Sequence, residues 1–348
     1  MPGPFSAILR GVNRNPDEPL TTVLVRGDRA YQLPILNTSH RFLILPPVNA
    51  QKVQHPEVYP PNCHVLNMPV VFQPDMRIDL IVSFGRTIDW QPLARFAQRS
   101  NCPMVCLDRE PPPTLVSPPQ VTERQLAALR AMGGERNVFG SRAAAKAWGF
   151  DGRQDDVTVI YSPVDTDLFS GWEGGDGKVL TVVDGYIHRP EAGFDVWREV
   201  TRGLPVNPVG DSPGFSEVAK SGQQLAALYG SASVFLNTEQ CRTTPVALMR
   251  AMAVGCPIVT RLSPIVEELI ESGVNGYVTD EPAEMRRRLE ELLADQDRAR
   301  ALGQAARRSA VRLFSEESFA TKWTEVFRDT VDRPACTWTE RYVESLAK

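Results

Sequence analysis

An excess of positive charge is the first thing this chain lacks: 38 Lys and Arg stand against 42 Asp and Glu, for a formal net charge of -4. It therefore carries no global basic field of the kind that draws a protein onto nucleic acid, although a local basic groove would be hidden in that sum. Long apolar runs are lacking too. Nothing approaches the roughly 18 consecutive apolar residues of a membrane-spanning helix. The opening stretch MPGPFSAILRGVNRNPDEPL has no apolar segment of the secretory type, so a cytoplasmic location is expected. Histidine is scarce, and His40, His55 and His64 have no metal-ligand spacing with nearby carboxylates. The six cysteines are scattered, and Cys102 and Cys106 miss the C-x-x-C spacing, so buried free thiols and no metal site are expected. The P-loop, the G-x-S-x-G elbow and the G-x-G-x-x-G fingerprint are all missing.

What is present is enough for two ordinary cores, since 348 residues exceed the size at which single cores stop growing. Hydrophobic content of 42% with 23% charge belongs to a globular chain. Short apolar runs at 21–25, 41–46, 78–84, 103–108, 136–141 and 157–161 read as strands. Helical patterns such as WQPLARFAQRS and VTERQLAALRAMGG lie between several of them. After the glycine-rich FSGWEGGDGK the alternation resumes, with strands at 179–185, 205–211, 232–237, 256–260 and 276–280. Helices are expected near 191–202, 221–230, 245–254, 264–272 and 283–295. The expected plan is an extension over 1–19, an α/β lobe over 20–168, a linker over 169–178, a second α/β lobe over 179–325 and a helical tail over 326–348. In FATKWTEVFRDTV an apolar stripe of Phe319, Trp323 and Phe327 needs a partner surface, and the tail is expected to pack back on the first lobe.

The stretch RTTPVALMRAMAVGCPIVT, from Arg242 to Thr260, carries the clearest local chemistry. Thr244 is a candidate N-cap, and Pro245 suits a first helical position, where its missing N–H costs nothing. Helix-start amides at the carboxyl edge of a parallel sheet form a ready anion site. The apolar Val246, Leu248, Met249, Met252 and Ala253 would serve a helix packed on its sheet under any function. In the first lobe, Gly27, Asp28, Arg29 and Tyr31 follow the first strand in VRGDRAY, and Arg86 follows another in FGRT. Asp108 and Arg109 end a strand ahead of a rigid proline run in DREPPP. These positions suit ligand contact at a cleft, and equally solvated turns or structural ion pairs.

The segment TPVALMRAMAVGCPIVTRLSPIVEELIESGVNGYVTD resembles the donor-binding half of GT-B glycosyltransferases of the GT4 (group 1) type. The match runs through Ala251-Met252-Ala253, Gly255, Pro257, Glu268, Gly273, Asn275 and Gly276. VIYSPVDTDLF is similar to the segment joining the lobes, VLTVVDGYIHRPEAGFDVW to the first strand and phosphate loop of the donor lobe, and NPVGDSPG to its next glycine turn. The resemblance implies a GT-B fold, two Rossmann-like α/β domains facing across a cleft. It implies no cofactor beyond a nucleotide-sugar co-substrate, of UDP or GDP type, and a metal-independent transfer, retaining in most such enzymes, to an unidentified acceptor. Gly185, His188, Arg189, Gly210, Asp211, Arg242, Thr243, Thr244, Pro245 and Arg250 would hold the donor. Gly27, Asp28, Arg29, Tyr31 and Arg86 would face the acceptor, and Arg189, Asp108 and Arg109 would serve the chemistry.

Two departures stand out. The glutamates of the family pattern fall on Arg242 and Arg250, and its phosphate-loop basic pair falls on Tyr186 and Ala192. A guanidinium donates only and cannot accept ribose hydroxyls as a carboxylate does. Three explanations stay open: a donor with extra negative charge gripped by an arginine clamp, an Arg250 paired with Glu239, Glu267 or Glu268, or loss of catalysis. An inactive GT-B-like binding or scaffold protein is the alternative reading, and a transferase acting on a modified DNA base is a narrower one.

Overall fold

The protein is described from a computed structural model covering residues 18–25, 34–45, 59–65, 78–86, 90–112, 122–150, 156–240 and 244–335. Two compact units result, one from the described residues up to Tyr161 together with those from Phe319 onward, the other Ser162–Ser318.

The first unit holds seven parallel strands: β1 (Thr21–Val25), β2 (Arg41–Leu45), β3 (Cys63–Val65), β4 (Leu80–Phe84), β5 (Met104–Asp108), β6 (Arg136–Phe139) and β7 (Val157–Val159). Their order in the sheet is β3-β2-β1-β4-β5-β6-β7. The run MVCLD in β5 is buried at every position, as expected of a parallel strand covered on both faces. Helices α1 (Trp90–Ser100), α2 (Glu123–Ala131) and α3 (Arg142–Ala147) fall between strands. Thr122 and Gln125 close a reciprocal capping box on α2, and Ser141 caps α3.

The second unit has β8 (Val179–Val182), β9 (Val206–Val209), β10 (Val234–Asn237), β11 (Ile258–Thr260) and β12 (Tyr277–Val278), in the order β12-β11-β10-β8-β9. Its helices are α4 (Phe194–Val200), α5 (Gly222–Ser231), α6 (Val246–Val254), α7 (Pro264–Leu269), α8 (Pro282–Ala294) and α9 (Gln296–Phe314). Two expectations are corrected here. The helix read over 191–202 is a 3-10 turn, Pro190–Ala192, followed by α4, because Gly193 between them takes φ +74. A Cβ at Gly193 would lie 2.4 Å from the Thr238 carbonyl oxygen, so only glycine lets the backbone pass there. At α6 the cap position is Pro245, with ψ 71 and no side-chain cap bond, and the helix begins at Val246. Thr244 therefore does not act as the N-cap.

The last helix, α10 (Glu316–Val331), places Phe319, Trp323, Val326 and Phe327 in one cluster with Leu20, Phe42, Leu80 and Val105 of the first unit. Polar ties hold its end there: Arg136 pairs with Asp329, and Arg333 donates to the Glu135 carbonyl at 3.2 Å.

In each sheet the chain begins at an inner strand, builds to one side, then crosses to the other. The strand order thus reverses between β1 and β4 in one sheet and between β8 and β10 in the other. Doubly wound sheets bind ligands outside the carboxyl ends of the strands at such a point. Around β1 most of the corresponding loop residues lie outside the described residues, Gly27, Asp28, Arg29 and Tyr31 among them. After β8 and β10 the loops are described through Gln240.

Candidate anion site at the carboxyl edge of the second sheet

Gly185 and Gly210 shape the two turns that follow β8 and β9. Gly185 takes φ +61, and a Cβ at Gly210 would meet the Val183 carbonyl oxygen at 2.1 Å. The Asp211 amide donates to Asp184 Oδ1 at 2.9 Å, so these turns brace each other. His188 is exposed and its backbone N–H closes on the Gly185 carbonyl at 2.9 Å.

The loop after β8 is fastened to the segment after β10. Tyr186 hydroxyl bonds to Thr238 Oγ1, Thr238 Oγ1 donates to the Ala192 carbonyl at 3.0 Å, and the Gln240 amide donates to the Glu191 carbonyl at 3.0 Å. Tyr186 is buried against Phe194, Trp197 and Phe215. Burial raises its phenol pKa far above the ordinary tyrosine value, outweighing the hydrogen bond with Thr238. The position where the family pattern has a basic residue is thus an interior aromatic here.

Arg189 sits on that loop with its guanidinium engaged on three sides. Nε donates to Glu191 Oε1 at 3.0 Å, one terminal nitrogen donates to the Asp184 carbonyl at 3.2 Å, and the other pairs with Glu239. Partial burial pulls its pKa down, but Glu191 and Glu239 outweigh that and raise it. Glu239 is thus the partner of Arg189 and not of Arg250. Sequence reasoning gave Glu239 only a minor part, since the pairing spans 50 positions.

Arg250, on α6, lies with its guanidinium carbon 5.1 Å from the centroid of the Phe169 ring, a cation–π contact rather than an ion pair. Neighbouring Tyr229 donates from its hydroxyl to the Ala247 carbonyl at 3.0 Å. At the other end of α6, Arg307 donates to the carbonyls of Ala253, Phe169 and Thr166, tying the helix terminus to the incoming segment. A cation is well placed at a helix carboxyl end, but no local pattern in the sequence marks Arg307. Thr244 carries a buried hydroxyl without a hydrogen-bond partner among the described residues, next to Pro245 at the start of α6. Arg242 and Thr243 lie outside the described residues.

In the first unit, Arg86 and Asp108 do not present themselves to a ligand. The Arg86 side chain is 0% exposed and pairs with Asp108, 4% exposed. It also donates to Asn137 Oδ1 at 2.8 Å and the Met132 carbonyl at 2.6 Å, and lies 5.0 to 5.6 Å from the rings of Phe139, Trp148 and Phe150. The Arg86 amide adds a bond to Asp108 Oδ1 at 3.2 Å. This arrangement is a sealed structural ion pair joining β4, β5 and β6. Arg109 is half-buried beside it, its backbone packed under Gly140, where a Cβ would come within 2.9 Å.

Among the described residues no group of three or more His, Cys, Asp or Glu is placed to share a metal ion, and no helix is long and apolar enough to cross a membrane. Cys102, Cys106 and Cys256 are buried free thiols, and burial pushes the half-buried Cys63 thiol up to about 11.

Residues 217–309 match the family model described as Glycosyl transferases group 1. No curated protein matches the chain. Among solved structures, HepE of Anabaena in complex with UDP is similar with a TM-score of 0.68 at 14% identity, over 89% of this chain and 100% of that one. Sucrose-phosphate synthase of Thermosynechococcus elongatus gives 0.69 at 13% identity, over 89% and 98%. A glycosyltransferase of Rickettsia africae gives 0.65 at 10% identity, over 90% and 99%. The fold is GT-B, with two Rossmann-like units, and the chain is related to the group 1 glycosyltransferases through its second unit.

Proposed function

We propose that this chain is a glycosyltransferase that moves a sugar from a nucleotide-sugar, of UDP type, to an acceptor held by the first unit, without a metal ion and with retention. The observation that carries the reading is the place of Arg189 and the turn glycines Gly185 and Gly210 at the strand-order reversal of the second sheet, with Arg189 paired to Glu239 on the segment after β10, the strand that precedes α6. Support for a UDP donor comes from the fold neighbours: HepE was solved with UDP and also with UDP-glucose.

In this reading the departing diphosphate is the charge to be stabilised. Arg189 and the amides that open α6, assisted by Arg242, would take the developing negative charge, as preorganised donors do most effectively. Arg250 stacks on Phe169 and has no carboxylate partner among the described residues, so it can receive an anionic part of the donor without first breaking an ion pair. Asp108 and Arg86 would keep the first unit's strand ends in register rather than touch substrate.

A binding or scaffold role is the second reading. It is favoured by the arginines at 242 and 250 and by the engagement of Arg189 with two carboxylates. The test is a panel of UDP-, GDP-, ADP- and CMP-sugars, followed by thermal shift and by hydrolysis of the donor. Saturating donor raises apparent stability by RT ln(1 + [L]/Kd), about 2.7 kcal/mol at a hundredfold excess over Kd. Stabilisation with slow hydrolysis supports the transferase. Stabilisation without turnover under any acceptor supports the binding role, and no stabilisation by any nucleotide removes both.

A further inference from the structure

In the described loops that follow β8, β9 and β10, Arg189 and Lys220 stand against Asp184, Glu191, Asp211, Glu217 and Glu239, and Arg189 is the one arginine. An anionic ligand approaching this edge thus meets one guanidinium already satisfied by two carboxylates, in a locally negative field. Resting on the nucleotide-binding reading above, we infer that Glu239 is a displaceable latch on Arg189: its carboxylate holds the face of the guanidinium that a ligand's phosphate takes, and binding exchanges one ion pair for the other.

Three observations carry this. The pair is wet: the side chains of Arg189 and Glu239 keep 41% and 25% of their exposure, and ion pairs of this kind contribute little net stability. A phosphate, more highly charged and with several oxygens to offer the nitrogen that Glu239 holds, is a stronger partner than a single carboxylate oxygen. The contrast within this chain is Arg86 with Asp108, at 0% and 4% exposure. There, breaking the pair would strand a charge in the interior, so of these two pairs the Arg189 pair is the one that can open.

The second observation is that the loop does not depend on the ion pair. Tyr186 with Thr238, Thr238 with the Ala192 carbonyl, and Gln240 with the Glu191 carbonyl hold the same two segments together. Gly193, packed against the Thr238 carbonyl, adds to them. Opening the latch therefore leaves the backbone in place.

The third is what remains on Arg189 once Glu239 swings away. Nε stays with Glu191 at 3.0 Å and one terminal nitrogen with the Asp184 carbonyl at 3.2 Å. These two bonds fix the plane of the guanidinium, so the nitrogen released by Glu239 keeps its direction. Glu239 selects for ligands charged enough to displace it, and Glu191 is the part that positions.

The experiment measures UDP and pyrophosphate affinity by calorimetry in wild type, Glu239→Gln, Glu191→Gln and Arg189→Ala, at one ionic strength. Glu239→Gln keeps the shape and removes the competing charge, and it tightens UDP by roughly three- to tenfold, the effect of one unit charge a few ångströms away in a wet site. Arg189→Ala loses most of the affinity for both probes. A Glu239→Gln protein that binds UDP equally or more weakly overturns the latch, because that is what a positioning or purely structural carboxylate would give.

A readout that needs no turnover accompanies it. The rate of Arg189 modification by phenylglyoxal is followed by peptide mass spectrometry, with the exposed Arg308 as internal reference. Glu239→Gln accelerates modification of Arg189 relative to Arg308, and UDP protects it. An unchanged rate overturns the latch, as does failure of both UDP and pyrophosphate to bind wild type and Glu239→Gln. Tighter UDP binding in Glu239→Gln without donor hydrolysis in either protein would leave the latch standing and remove the transferase reading. Hydrolysis without any gain in Glu239→Gln would do the reverse.

Discussion

Gly303, in the middle of the 19-residue helix α9, lies directly against Gly255 at the carboxyl end of α6: a Cβ at 303 would come within 1.9 Å of the Gly255 carbonyl oxygen. Gly255 itself holds φ +88 as the cap of α6. Two glycines therefore set how closely these helices approach, and α6 is the helix that follows β10 in the second sheet.

Gly303→Ala follows as a test of that contact. In an isolated helix alanine would gain about 1 kcal/mol over glycine. Here the added methyl meets backbone that has no rotamer to yield, and overpacking of this sort costs about 1–3 kcal/mol or more. Net destabilisation of the second unit is expected, read as a lower urea midpoint, and a stabilised variant would show that the helices separate freely.

Asp108→Ala should be among the most damaging single changes in the first unit. It leaves the Arg86 guanidinium, 0% exposed, without its carboxylate, and removing one partner of a buried pair costs about 3–5 kcal/mol. Arg86→Met combined with Asp108→Leu should cost clearly less than Asp108→Ala alone, since neither charge is then stranded. A urea denaturation series of the three proteins checks both statements. If the single variant unfolds at the wild-type midpoint, the pair is not what joins β4 to β5.

Tyr186→Phe removes one rung between the loops after β8 and β10, the bond from the phenol to Thr238. The ring stays packed among Phe194, Trp197 and Phe215, so the expected cost is that of one buried hydrogen bond, about 1 kcal/mol. Thr238→Val should cost more, because Thr238 also donates to the Ala192 carbonyl. Amide exchange in residues 184–193 should quicken in both variants while β10 stays protected.

Much of this architecture was legible because the signals are local. Runs such as MVCLD and VFLN are buried at every position and read as strands without help. Strand β3 escaped because CHV is three residues long and mostly exposed. The break of the helix at Gly193 was missed because the need for glycine comes from Thr238, far along the chain. The same reason separates what was and was not seen at the site. Arg189 was picked out through the resemblance of its segment to the family's phosphate loop, but its partner Glu239 lies 50 residues on. Arg86 looked like a loop charge in FGRT, whereas its partners Asp108, Asn137 and Met132 are 22 to 51 residues away. The expected roles of Gly27, Asp28, Arg29, Tyr31, Arg242 and Thr243 fall on residues that the structure does not describe, and they stand as proposals.

Acid sensitivity offers a last test, at the first turn of α8. Glu284 accepts two bonds of 2.8 Å from Arg287 and one of 2.7 Å from Arg288. The Arg287 hydrogen bonds lead in lowering its pKa from 4.5 to about 2, with Arg288 adding to the shift. A carboxylate near a helix amino terminus is favoured by the dipole as well. Because the folded value lies below the unfolded one, this group's contribution is present in full above about pH 4.5 and is lost as pH falls through about 2. Glu284→Gln should therefore lower Tm slightly at pH 7, flatten the decline of Tm between pH 4.5 and 2, and meet the wild type at the acid end. The side chain keeps 36% of its exposure, so the difference at pH 7 should shrink in high salt, where such pairs are screened. Parallel Tm–pH curves for the two proteins, offset equally at every pH, would mean that the arginines do not hold this carboxylate in solution.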